Sequence, residues 1–110
     1  MRLLLTAALV LAALPATAQD SVVVEACKRV GAHLYTKDSI DVSVAQDFSE
    51  LTPPRARLRL NDLFATKLSC KFRSSERPVQ LIELCHDDFC LKAGDERFDE
   101  VRFLLEQEGY

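Results

Sequence analysis

Apolar side chains recur at Val23, Cys27, Val30 and Leu34, the spacing of one helix face, and predict a helix over residues 21–35. Ser21 stands where a cap belongs, and Lys28 and Arg29 fall on the outer face. The run Val22-Val23-Val24 is β-prone, which leaves the first turn open. From Ser39 the period drops to two. Ile40, Val42 and Val44 alternate with Asp41, Ser43 and Ala45, predicting a half-buried strand whose apolar set continues at Phe48. Thr52-Pro53-Pro54 ends that run as a turn. Ala56, Leu58 and Leu60 then alternate with Arg55, Arg57 and Arg59, and Asn61-Asp62 marks another turn. Leu68, Cys70 and Phe72 alternate with Lys67, Ser69, Lys71 and Arg73, placing Cys70 on the buried face.

After a polar loop from Ser74 to Arg77, the segment Val79 to Leu84 is apolar on both faces through Leu81, Ile82 and Leu84. That pattern reads as a central strand or one covered on both sides. Phe89-Cys90-Leu91 is a short return strand. Asp95 is placed to cap a last helix with Phe98, Val101, Leu104 and Leu105 inward, and Gly109 ends it. The order is helix, about four or five antiparallel strands, helix. This is an α+β domain with one sheet face against helices. It is similar in outline to cystatin-like folds, a likeness of element order that lends no residue to a site.

Residues 1–18 form an export leader. Arg2 is the positive start, Leu3 to Leu14 the apolar stretch, and Ala16-Thr17-Ala18 the small residues of a cleavage site before Gln19. The apolar run is shorter than the ~20 residues of a spanning helix. Cleavage therefore leaves no membrane anchor and predicts a periplasmic or secreted protein. The expected mature chain, residues 19–110, is one small domain whose formal charge moves from −3 to −4 with the loss of Arg2. An acidic balance argues against nucleic acid or an anionic membrane as partner. A domain this short is marginal on its core alone.

All four cysteines, Cys27, Cys70, Cys85 and Cys90, follow the leader, and in an exported chain they read as two disulfides. Cys85 and Cys90 flank the turn His86-Asp87-Asp88-Phe89, so they face each other across a hairpin. Pairing Cys70 with Cys85 would centre a hairpin on Arg77-Pro78, where Pro cannot supply the positive φ of a two-residue turn. Cys27 with Cys70 remains, tying the first helix to the middle of the sheet.

Candidate chemistry centres on a basic stripe. If the two neighbouring strands pair, Arg55, Arg57, Arg59, Lys67, Lys71 and Arg73 share one solvent face able to hold an anionic ligand or an acidic partner. Set against it is a solvated face in which Asp41 and Asp47 interleave with the Arg rows. Cross-strand neutralisation and the acidic mature chain favour that second reading. No aromatic residue lies within Arg55–Arg59 to stack on bases. Cys85-His86-Asp87-Asp88 lacks the paired spacing of a structural zinc site, so no metal and no cofactor is assigned. His33 and His86 are the only histidines, and no GxSxG, HExxH, phosphate loop or CxxC is present. His33 falls beside the apolar stripe as a packed or boundary residue.

These readings converge on an exported accessory protein rather than an enzyme. It is expected to bind an envelope or extracellular protein, as an inhibitor or assembly factor, through the open sheet face or the Cys85–Cys90 hairpin. A carrier of a small ligand or metal is the alternative. A hydrolase would need His33 or His86 in a cleft against a carboxylate. Partner identity and oligomeric state are not legible in the residues.

Overall fold

The computed structural model describes residues 20–110; the leader expected over residues 1–18 lies outside the described residues. Helix α1 runs Val22–Leu34. Its β-prone start is helical for two reasons. The Ser21 hydroxyl accepts the Val24 N–H at 3.2 Å, and Val23 and Val24 are both buried, so packing overrides propensity. Gly31 marks the closest approach of α1 to the sheet: a Cβ there would sit 2.7 Å from Ile40 Cδ1 and 2.8 Å from Leu68 Cδ2.

The sheet has five strands, β1 (Val42–Phe48), β2 (Arg55–Leu60), β3 (Lys67–Phe72), β4 (Leu81–His86) and β5 (Phe89–Leu91). They form an antiparallel meander in sequence order, so each strand pairs with the one before it. Helix α2 (Glu96–Gln107) packs beside α1 and against β4. Phe72 and Phe98 are fully enclosed among Leu58, Leu68, Leu84, Val30 and Val101, which places the core between the helices and one sheet face.

Two irregularities correct the strand readings. In β1 the register shifts between Val42 and Val44, where Ser43 is the extra residue. Val42 still opposes Leu60 and packs on the core, but Val44 opposes Arg59 and turns outward, 46% exposed. In β4 the shift lies between Lys71 and Phe72. Leu81 opposes Phe72, Glu83 opposes Lys71, and Ile82 is the extra residue. The bulge lets both Leu81 and Leu84 face the core. The two apolar faces of this segment therefore come from a phase change, not from cover on both sides.

Asp95 occupies the cap position of α2, but its side chain makes no cap hydrogen bond. Its carboxylate accepts the Lys92 N–H at 2.9 Å and closes the preceding turn instead. Of the predicted inward stripe, Phe98, Val101 and Leu105 are buried and Leu104 is half-buried. Gly109 takes φ +82° after the helix, and the Tyr110 carbonyl accepts the Val79 N–H at 2.7 Å. This bond ties the chain beyond α2 to the entry of β4.

The helices are joined by a two-pronged ion pair, Arg29 Nε to Glu108 Oε1 at 2.7 Å and Arg29 Nη2 to Glu108 Oε2 at 2.8 Å. The hydrogen bonds from Arg29 hold the Glu108 carboxyl below its ordinary value. A carboxyl depressed in the folded state stabilises it above the unfolded value and loses that contribution as pH falls through the folded one. Glu108→Gln is accordingly expected to lower stability near neutrality by at most about 1 kcal/mol, the range for an exposed pair. The difference from the parent should vanish in acid, and urea unfolding across pH measures it.

Both disulfides are formed as the spacing predicted. Cys27–Cys70 joins α1 to β3 with both residues 0% exposed, and Cys85–Cys90 bridges directly opposed residues of β4 and β5. Because Cys90 is exposed and Cys27–Cys70 is enclosed, a brief treatment with a dithiol under native conditions should open only Cys85–Cys90. Alkylation and peptide mass analysis would then find label at Cys85 and Cys90 alone.

Candidate functional site

Alternation along β2 and β3 sends Ala56, Leu58, Leu68 and Cys70 inward and the cations outward. The register sets Arg55 opposite Lys71, Arg57 opposite Ser69 and Arg59 opposite Lys67. Two like-charge pairs thus stand directly across from each other, an arrangement that costs stability in an antiparallel pair. From β1, the outward-turned Val44, Gln46 and Phe48 complete the surface. Arg57 lies over the Phe48 ring, 5.8 Å from its centroid. Val44, Gln46, Arg57, Arg59 and Lys67 border a shallow hollow of about 110 Å³.

Only one carboxylate enters this face from the sheet. Glu83 on β4 opposes Lys71 and lies 3.5 Å from its Nζ and 3.8 Å from that of Lys92. Among the described residues, Arg55, Arg57, Arg59 and Lys67 have no ion-pair partner, and the Arg55 Nε is enclosed without an acceptor.

The neutralised version of this face does not form. Asp47 opposes Ala56, on the other side of the sheet from the Arg row, and accepts hydrogen bonds from the Ser49 hydroxyl and amide. Asp41 lies before β1 and accepts from Asn61 Nδ2 at 2.9 Å. The bulge at Ser43 is the physical reason: it reverses the phase of β1, exporting Val44 and Phe48 while turning Asp47 away. Arg73 also departs from the stripe. It lies one residue beyond β3 and lines a separate hollow with Gln80, Phe98, Arg102 and Glu106. The structure brings together five of the six predicted cations.

The remaining chemistry-bearing residues are engaged in the fold. Glu83, Cys85 and Cys90 form a group of possible metal ligands, but both sulfurs belong to the disulfide. His86 faces Asp87 at 3.8 Å and stacks near Tyr35, with ring centroids 5.8 Å apart. His33 does meet a carboxylate, Glu100 of α2, at 2.5 Å. The contact joins the two helices, α1 through His33 and α2 through Glu100. His33, Glu100 and Thr36 border a separate open hollow, and the Thr36 hydroxyl donates to the Tyr35 carbonyl.

The turn expected at Asn61-Asp62 forms between β2 and β3, but its apolar tip was not legible in the sequence. Leu63 and Phe64 are 93% and 85% exposed at its tip. The loop is not loose. The Asp62 carboxylate accepts the N–H groups of Phe64 at 3.1 Å and Thr66 at 2.9 Å, and Thr66 returns its carbonyl to the Leu60 N–H at 2.8 Å. Hydrogen bonding to Thr66 foremost, with the Phe64 and Ala65 amides, holds the Asp62 carboxyl below its ordinary value. The signal lay in Asp62 itself, since Asp opening a turn accepts the amide two residues on.

These features define the class of the molecule: a small α+β domain closed by two disulfides. No protein-family model, curated protein or solved structure matches the chain, and the likeness to cystatin-like folds remains one of element order.

Proposed function

We propose that this is an exported accessory protein that acts by binding an acidic surface on an envelope or extracellular protein, as an inhibitor or assembly factor. The contact is the outer sheet face carrying Arg55, Arg57, Arg59, Lys67 and Lys71. One observation carries the reading: the fold holds Arg55 against Lys71 and Arg59 against Lys67 across one strand pair, with Glu83 the only facing carboxylate among the described residues of the sheet. A face kept for solubility alone would gain from alternating signs. Val44 and Phe48 on β1, beside the Arg row, supply apolar contact that a purely solvated face lacks. One disulfide ties β3 to α1 and the other bridges β4 and β5, and a rigid surface loses little conformational freedom on binding.

The test compares the parent with R57E/R59E/K67E, all exposed positions, using extract from the host envelope and polyglutamate as a defined acidic probe. The parent should retain both, with a salt dependence that steepens with the number of cations engaged, and the variant should lose them at unchanged circular dichroism. Equal retention by the two proteins would overturn the assignment of this face.

A further inference from the structure

The opposite layer of the molecule carries a second surface. The register Leu68–His86 and the bonds between Asp87 and Lys67 (amide to carbonyl at 2.8 Å, Lys67 amide to carboxylate at 3.0 Å) bring the 61–66 loop and the β4–β5 hairpin to one end of the sheet. Beside them lies a hollow of about 290 Å³, bordered by Leu34, Tyr35, Leu84, His86, Phe89, Leu91 and Arg97 and almost wholly apolar inside. Phe89 at its lip is 68% exposed. Tyr35 adjoins both features, bordering this hollow and also the recess that Asp62 and Asn61 line.

One end of the chain therefore presents both a fixed apolar projection and an apolar recess. A cavity of about 150 Å³ lined by aliphatic and aromatic side chains is enough to admit benzene, so this one has room for a phenyl ring. The Asp62 carboxylate fixes the loop backbone at Phe64 through its N–H. Although Asp87 and Asp88 of the hairpin also lie at this end, one opposite-charge pair is available between copies. Asp41 and Asp62 flank the loop, whereas Arg97 at the hollow donates only to the Leu34 carbonyl, at 3.2 Å, and among the described residues meets no carboxylate. The acidic flank also disfavours insertion of the loop into an anionic bilayer.

We propose that this end is a self-complementary interface for a second copy of the chain. Each Phe64 ring enters the partner copy's hollow among Leu34, Leu84, Phe89 and Leu91, and each Asp62 faces the other copy's Arg97. A two-fold axis satisfies both contacts at once, because projection and recess share one end. The inference stands apart from the role of the basic face. That face belongs to the other side of the sheet and stays open in the dimer, so a pair would engage acidic partners bivalently.

Sedimentation velocity on the full mature chain, from micromolar to millimolar, tests it with F64D and F89D, both at exposed positions where folding does not depend on the ring. The parent should be a dimer in this range. Each variant should weaken association about 100-fold, since the two-fold repeats the lost contact and each loss of tenfold counts twice. Mixing F64D with F89D should recover a heterodimer tighter than either variant alone. In the mixed pair one intact projection meets one intact recess, a result that general surface stickiness would not produce. A parent that stays monomeric to millimolar concentration overturns the proposal. So does a dimer indifferent to both substitutions, or binding of the loop to phosphatidylglycerol vesicles without self-association.

Discussion

Replacing Cys27 and Cys70 together by alanine is expected to lower the unfolding free energy by about 4 kcal/mol, and to leave a large fraction of the chain unfolded at 37 °C. The bridge closes a loop spanning a sequence separation of 43, and the chain-entropy relation for about 44 residues gives that figure. Small domains have only about 5–15 kcal/mol in hand, with the short ones toward the bottom of the range. Position adds to the effect. Both sulfurs are fully enclosed where α1 lies on β3, and the neighbouring core residues Ala26, Val30, Ala56 and Leu68 pack around that contact. Alanine leaves apolar space there rather than an unsatisfied hydroxyl, so the loss combines the covalent link with the small cavity where the two sulfurs packed. Urea titration followed by circular dichroism reads the loss. A change below about 1 kcal/mol would mean that packing alone holds α1 on the sheet.

The same substitution at Cys85 and Cys90 should behave differently. Their sequence separation is 5, and the relation gives about 2 kcal/mol for so short a loop. Only the three-residue β5 and its turn depend directly on it. Freed of the bridge, that hairpin is expected to fray while the core between the helices and β2–β4 persists.

The elements of this fold were legible wherever one physical signal dominated. The stripe Val23, Cys27, Val30 announced α1, and the clean alternation in Arg55–Leu60 and Lys67–Phe72 announced β2 and β3, with Cys70 inward. Cysteine pairing followed from that inward placement together with the short turn at Asp87. What stayed hidden has a common cause in phase. Ser43 and Ile82 each insert one residue, and a period-two count runs through an insertion without registering it. The error mattered for function, because the lost phase in β1 is what separates Asp47 from the Arg row and brings Val44 and Phe48 to it. Leu63 and Phe64 escaped for another reason. Apolar residues are read as buried by default, and nothing local distinguishes a ring that points into a core from one that points into water.

That distinction supplies the second large effect. Phe72→Ala should cost about 3–5 kcal/mol, because the ring is 0% exposed in the core between the sheet and the helices, and its removal combines lost transfer energy with the cavity left behind. Phe64→Ala should change the monomer's stability by less than about 0.5 kcal/mol, since an 85% exposed ring gains almost nothing from folding. The two substitutions are chemically identical, so their difference reads burial alone. It also separates two reasons for holding an aromatic side chain in place. At Phe72 the surroundings are organised by the ring. At Phe64 the surroundings fix the backbone that carries the ring, through the Asp62 carboxylate and the Thr66 backbone, while the ring itself stays in water. Denaturant midpoints for both variants, measured below the concentration at which the chain associates, decide the matter. A Phe64→Ala loss as large as that of Phe72→Ala would make the loop part of the core rather than a surface presented to another molecule.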